Sequence, residues 1–208
     1  MIKAIHFLLK LVYPKLVWEI PSATKKVYLT FDDGPIPEVT EWVLNELEKY
    51  NAKATFFCIG DNVQKHPQVV AKIVKSNHAI GNHTFNHLNG WSTSAENYLY
   101  NLDLCQTELE KNKIKTTLFR PPYGKIKSAQ AKQINQKGYS VIMWGIISKD
   151  YDQNTCKATC VANVLDHVKP GSIIVMHDSL KAFPNLEYAL PIILKNLTEK
   201  GYSFEKIT

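Results

Sequence analysis

Short, continuously apolar runs alternate along this chain with longer stretches whose apolar residues recur every three or four positions, and the alternation repeats about seven times. The runs predict strands at Val27–Leu29, Ala54–Ile59, Ala79–Ile80, Thr116–Phe119, Tyr139–Trp144, Ser172–Met176 and Tyr202–Ile207. Helices are predicted between them, at Pro37–Tyr50, His66–Ser76, Ala95–Lys111, Ser128–Lys137, Thr159–Val168 and Leu186–Lys200. Pro37 and Pro67 open two of these helices, where a missing N–H costs nothing. Strands that are apolar throughout, rather than at alternate positions, belong to a parallel sheet covered by helices. The pattern therefore predicts an α/β fold with such a sheet closed into a barrel.

Composition adds a size and few exclusions. The chain has 208 residues, 45% of them apolar and 21% charged, as in one ordinary globular domain. A net charge of +6 would suit an acidic polymer or a lipid surface. The lysines are scattered, however, with no basic cluster interleaved with aromatics, so nucleic acid is not an expected partner. Of 25 basic residues only Arg120 is an arginine, and it stands before Pro121-Pro122-Tyr123-Gly124. A rigid, always-charged fork has been used where lysine would not be equivalent. Cys58 and Cys105 fall in apolar patterns and read as core thiols, while Cys156 and Cys160, four apart, could meet. Residues 1–25 read as an amphipathic helix and lead-in, and residues 26–208 as the folded domain. Within residues 1–13, Lys3, His6 and Lys10 form one helical stripe on an apolar segment too short to span a bilayer. No cleavage site follows it, so the expectation is a cytoplasmic or peripherally membrane-associated monomer, with residues 1–13 touching a membrane surface or packing on the domain.

The chemistry lies at the strand ends. The first strand runs into Thr30-Phe31-Asp32-Asp33-Gly34-Pro35, where Gly34 and Pro35 stop the strand and leave two acids at its C-terminal edge. In parallel α/β folds sites are built at that edge. The third strand leads to His83 and His87, four apart, which one turn of helix would face the same way. The fourth carries Arg120, the fifth leads to Asp150, and the sixth carries His177. Two histidines opposite a carboxylate pair fit a three-ligand metal site with an open, catalytic position. Nitrogen and oxygen donors without thiolate favour zinc, with cobalt, nickel, manganese and iron as the other candidates.

Taken together, Thr30–Pro35, His83–His87, Arg120–Tyr123, Asp150 and Val175-Met176-His177 resemble, in order, the motifs of the polysaccharide deacetylase (NodB-homology, carbohydrate esterase) family, across about residues 26 to 207. The resemblance implies a distorted (β/α) barrel of about seven parallel strands. It also implies metal-dependent removal of N-acetyl groups from an N-acetylglucosamine-containing saccharide. It implies that Asp33, His83 and His87 hold the metal and that Asp32 is the base, paired with and aimed by Arg120. The backbone N–H of Tyr123 would stabilise the oxyanion, and His177, held by Asp150, would protonate the leaving amine. Pro122, Tyr123, Trp144 and Val175 would line the substrate site, with Val175 against the acetyl methyl.

Departures from the family pattern keep some choices open. The loop Ile147-Ser148-Lys149-Asp150-Tyr151 lacks the first Asp and the Trp of the usual Asp-x-x-Asp-Trp, which puts the sugar platform in doubt and leaves Asp152 as an alternative to Asp150. Asp178 reads as a helix cap or loop acid, and His66, His78 and His167 as surface or structural. The competing functions are a saccharide-binding protein without turnover, an O-acetyl (xylan-type) esterase, and an iron oxygenase with two histidines and one carboxylate.

Overall fold

Strand β1 (Lys26–Asp32) is the centre of the molecule, and its residues alternate between two environments. Val27, Leu29 and Phe31 point outward into the main core, while Tyr28 faces inward beside Phe57, Ile142, Ile173 and Ile207. Thr30 and Asp32 share the inward face by the two-residue period of a strand. The computed structural model describes residues 13–208, so all but Tyr13 of the expected amphipathic segment, residues 1–13, lies outside the described residues. Among the described residues no helix is long and apolar enough to cross a membrane.

From β1 the chain continues through α1 (Val39–Glu48), β2 (Ala54–Cys58), α2 (Gly60–Lys65), α3 (Pro67–Lys75) and β3 (Ala79–Asn82). Then follow α4 (Ala95–Lys111), β4 (Leu118–Phe119), α5 (Ser128–Gln136), β5 (Ser140–Val141) and β6 (Ile146–Ile147). The chain ends with α6 (Lys157–Leu165), β7 (Ile173–His177), α7 (Phe183–Glu199) and β8 (Ser203–Phe204). Strand order is β5-β4-β3-β2-β1-β7-β6, with β8 on the start of β1, and every pairing is parallel. The sheet curls into the expected distorted barrel. Helices α1, α3, α6 and α7 cover its outer face through Val43, Leu47, Ile73, Val164, Leu190 and Leu194, all buried.

The lead-in closes the gap between the two ends of the sheet. Val17 bridges Ile142 beyond β5, Glu19 bridges Ser172 before β7, and the Ile20 N–H donates to the Gly171 carbonyl at 3.0 Å. Leu16 and Trp18 are buried in a second core with Tyr98, Phe119 and Ile134.

Three local expectations are corrected. The strand expected over Tyr139–Trp144 is cut short to β5, and a separate strand, β6, follows after a bend. Its cause is that the Ile142 and Met143 carbonyls turn toward Arg120, at 3.2 and 2.9 Å, instead of toward a sheet partner. Gly60 does not merely end β2; it opens α2 and donates to the Thr84 carbonyl. A β-carbon on Gly60 would lie 2.9 Å from the Cys105 backbone, so only glycine allows this approach of α2 to α4. Finally, His83 to His87 is not a helical turn but a loop with left-handed Thr84 and His87, pinned by the Asn82 side chain on Thr84 N and by Thr84 Oγ1 on Leu88 N. Cys58 and Cys105 are buried as expected, and Cys156 and Cys160 are both free thiols.

Candidate active site

Arg120 is wholly buried at the end of β4 and points across the barrel mouth. Its Nη1 donates to Asp32 Oδ1 at 2.7 Å and to Thr30 Oγ1 at 2.6 Å, both on the inward face of β1. Nε and Nη2 donate to the Ile142 and Met143 carbonyls, and the guanidinium lies 4.2 Å from the Phe57 ring centre. Burial lowers its pKa and Asp32 opposes that, but guanidinium stays charged throughout the range in which proteins fold. One planar fork thus serves four acceptors on two segments, β1 and the stretch after β5, which a single ammonium would leave partly unpaired. Asp32 is held by a rigid partner on one oxygen only.

Asp33 follows in a left-handed conformation (φ 82°), which swings its carboxylate away from Asp32 toward β3. Its Oδ1 lies 3.2 Å from His87 Nε2 and 3.8 Å from His83 Nε2, and the three donor atoms all fall within 4.8 Å of one another. His83 Nδ1 is 2.7 Å from the Arg120 carbonyl, which only accepts, so Nδ1 carries the hydrogen and Nε2 presents its lone pair. His87 Nδ1 lies 3.1 Å from the Tyr123 hydroxyl, so its Nε2 also faces Asp33. Burial pushes His83 down to about 4, aided by His87 and opposed by Asp32, so it is neutral near pH 7, as a ligand must be. Burial alone would raise Asp33, but His87, His177 and His83 outweigh it and bring the carboxyl down to about 2. Asp33 Oδ1 is nonetheless buried without a hydrogen-bond donor. A carboxylate oxygen left without a donor between two imidazole nitrogens is the arrangement a divalent cation satisfies, and the three residues fit one.

His177 ends β7 directly beside Asp32, its partner in the sheet register. Its Nδ1 is 2.8 Å from Asp150 Oδ1 and its backbone N–H donates to Asp150 Oδ2 at 2.7 Å. Asp150 is itself fully buried and accepts from Ser148 Oγ and the Tyr151 N–H. Burial works against charge on His177, but Asp150, with Asp33 and Asp32 behind it, lifts its pKa to about 9. With Nδ1 engaged, the proton available for transfer is the one on Nε2. Asp152 is not an alternative partner: it caps its own loop, accepting from Asn154 N and Thr155 Oγ1.

Asp178 is corrected from a loop acid to a buried one. Its Oδ1 accepts the Gly34 N–H at 3.1 Å, its Oδ2 accepts Thr40 Oγ1 at 2.6 Å, and its own N–H donates to the Asp32 carbonyl. Burial raises its pKa to about 8, with Asp33 adding. A β-carbon on Gly34 would lie 2.1 Å from Asp178 Oδ2, so Gly34 serves close approach as well as the turn. Asp178 therefore fixes the backbone that carries Asp33. The signal in the sequence was an acid adjoining His177, matched by a glycine adjoining Asp33.

The remaining candidates also gather at this mouth. Tyr123 has φ 60° and packs edge-on against His87, with its side chain 59% exposed. Pro122 is buried beneath it, and Trp144 lies 5.7 Å from the Arg120 guanidinium and against Gly124. Val175 is buried on β7 opposite Thr30, on the same face as His177 two residues on. Tyr151, where the family pattern has Trp, packs edge-on against His177 at 4.9 Å. Non-glycine residues with positive φ recur here at Asp33, Thr84, His87, Tyr123 and Lys149, the concentration of backbone strain that marks functional sites. His78 lies at the other end of the barrel, accepting from the Ala54 N–H, and is structural as expected. Trp91, which sequence reasoning passed over, is 60% exposed, with Lys125 Nζ 5.4 Å from its ring and 6.0 Å from that of Tyr123.

A curled parallel α/β barrel with an Asp-His-His donor set, a buried Arg–Asp pair and an Asp–His pair at one mouth defines a hydrolase of the carbohydrate esterase type. The polysaccharide deacetylase family model matches residues 19–142, and the chain belongs to that family. It is 36% identical to a peptidoglycan-N-acetylglucosamine deacetylase of Bacillus cereus, covering 93% of this chain and 91% of that protein. It is 33% identical to the peptidoglycan-N-acetylmuramic acid deacetylase PdaC of Bacillus subtilis, over 88% of this chain and 38% of that longer protein. A crystal structure of a peptidoglycan N-acetylglucosamine deacetylase bound to an N-oxidanyl-benzamide superposes with TM-score 0.89 at 31% identity, covering 96% and 94% of the two chains. The chain is thus an enzyme, a polysaccharide deacetylase.

Proposed function

We propose that this enzyme removes N-acetyl groups from the glycan strands of peptidoglycan, using one divalent cation, zinc first among the candidates, held by Asp33, His83 and His87. The observation that carries the metal is Asp33 Oδ1, buried without a donor between two imidazole nitrogens. When bound, such an ion lowers the pKa of water and polarises an acetyl carbonyl.

The protein's own residues have separate tasks in this reading. Asp32 takes the proton of the attacking water on Oδ2, since Arg120 occupies Oδ1 and fixes the carboxylate's direction. The Tyr123 backbone N–H has the task of stabilising the developing oxyanion, on a residue held in the left-handed conformation. His177 donates from Nε2 to the leaving amine, while Asp150 holds Nδ1 and favours the charged ring. An amide requires that last step, because an unprotonated amine leaves poorly. Val175, with Trp144 and Pro122 nearby, encloses the acetyl methyl.

Peptidoglycan is favoured over other acetylated glycans because both relatives described above act on it by name. The test is acetate release by metal-loaded protein from peptidoglycan, chitooligosaccharides and O-acetylated xylan, with metal content measured alongside. Acetate from the first is expected. Release from xylan alone, or from none of the three, overturns the reading.

A further inference from the structure

A row of exposed side chains leads away from the metal ligands. His87 packs on Tyr123, whose ring lies 6.0 Å from Lys125 Nζ, and the same ammonium lies 5.4 Å from the Trp91 ring. The Tyr123 and Trp91 rings are 59% and 60% exposed, and Lys125 lies within cation–π reach of both. They are not loose. Trp91 Nε1 donates to the Ile126 carbonyl, Gly90 N donates to the Lys125 carbonyl, and buried Gln130 holds the Gly90 carbonyl. Lys127 Nζ donates to Thr93 O, fixing a second cation on the same loop pair. Lys125 forms no ion pair among the described residues and stands between the two rings as a cation held by their π faces.

The geometry points to a subsite in which Trp91 and Tyr123 stack on the pyranose neighbouring the deacetylated one and Lys125 pairs with a carboxylate borne by that ring. The C–H face of a pyranose is apolar and matches an aromatic face. An ammonium at the edge of that face selects a sugar with an acidic substituent, such as a lactyl ether, over a neutral one. This inference rests on the deacetylase reading above and adds to it the chemical class of the adjacent residue.

The test compares peptide-free peptidoglycan strands with chitooligosaccharides of equal length, by kcat/KM for acetate release in the metal-loaded enzyme. Binding of both glycans to the Asp32→Asn form, by calorimetry, reads the subsite without turnover. Lys125→Gln should lower the acidic-to-neutral ratio about three- to fivefold through KM, the size of a solvent-exposed ion pair. Lys125→Arg should retain the ratio, and in the parent enzyme the ratio should fall as salt rises. Trp91→Ala should raise KM about tenfold on both glycans with little change in kcat. A ratio unmoved by Lys125→Gln, or a Trp91→Ala effect on kcat alone, overturns the subsite. If the parent releases no acetate from either glycan the deacetylase reading fails, and calorimetry still decides the subsite: a preference for the acidic strand that Lys125→Gln removes supports it, and no preference overturns it.

Discussion

Replacing Arg120 by lysine keeps the charge and removes the fork, which makes it the sharpest probe of how this site is held. In the parent the guanidinium satisfies Asp32, Thr30 and the Ile142 and Met143 carbonyls, all inside the barrel. A lysine ammonium reaching Asp32 leaves at least the two carbonyls without a donor, at about 1–3 kcal/mol each. It also gives up the stacking on Phe57. The sum is about 4 kcal/mol, which for a chain of this size lowers the melting temperature by about 10 °C. Because those carbonyls make the bend between β5 and β6, Trp144 should shift with them. Asp32, held through one hydrogen bond on a flexible stem, should lose its aim, at a cost of about 100-fold in kcat. Thermal and urea unfolding give the first quantity and acetate release the second, with metal content measured to show that His83 still binds. A lysine variant that melts within about 2 °C of the parent and turns over normally would refute the claim that geometry, rather than charge alone, places arginine here.

Asp32→Asn should abolish acetate release yet retain the metal, whereas His83→Ala should lose both; metal analysis beside the activity assay separates them. Activity should fall as pH rises through about 9, where His177 loses its proton, and His177→Gln should remove that limb of the profile. The same raised pKa contributes stability that is fully present below 6.5 and lost as pH passes through about 9, measurable by urea unfolding across that window. Asp178 behaves oppositely: its carboxyl ionises near 3.8 when unfolded and near 8 when folded, so stability falls as pH rises between those values. Asp178→Asn should flatten that slope in metal-free protein; an unchanged slope would show that Asp178 is ionised in the fold.

Much of this was legible because five of the predicted strands end on or lead into chemical residues, and strand ends can be found from local apolar runs. Asp32, Asp33, Arg120, Asp150 and His177 are such positions, and the barrel brings all of them to one mouth. What was not legible is what distant residues impose. The bend after β5 is made by Arg120, some twenty residues earlier in the chain, so the run Tyr139–Trp144 looks like one strand. The spacing of His83 and His87 fits a helix, yet Asn82 and Thr84 side chains hold it as a loop. Asp178 declares its burial only once Gly34 and Thr40 are seen against it. Trp91 was the one miss with a local sign: a large aromatic in a polar loop, outside either periodic pattern.

The strip from Val17 to Ile20 has a consequence for how the molecule is made. It seals a wall whose other edges, around Ile142 and Ser172, are synthesised far later, so the earliest described residues wait, unpaired and apolar, until most of the chain has left the ribosome. Closure is therefore a late event in folding, dominated by contacts between remote parts of the sequence and slow for that reason.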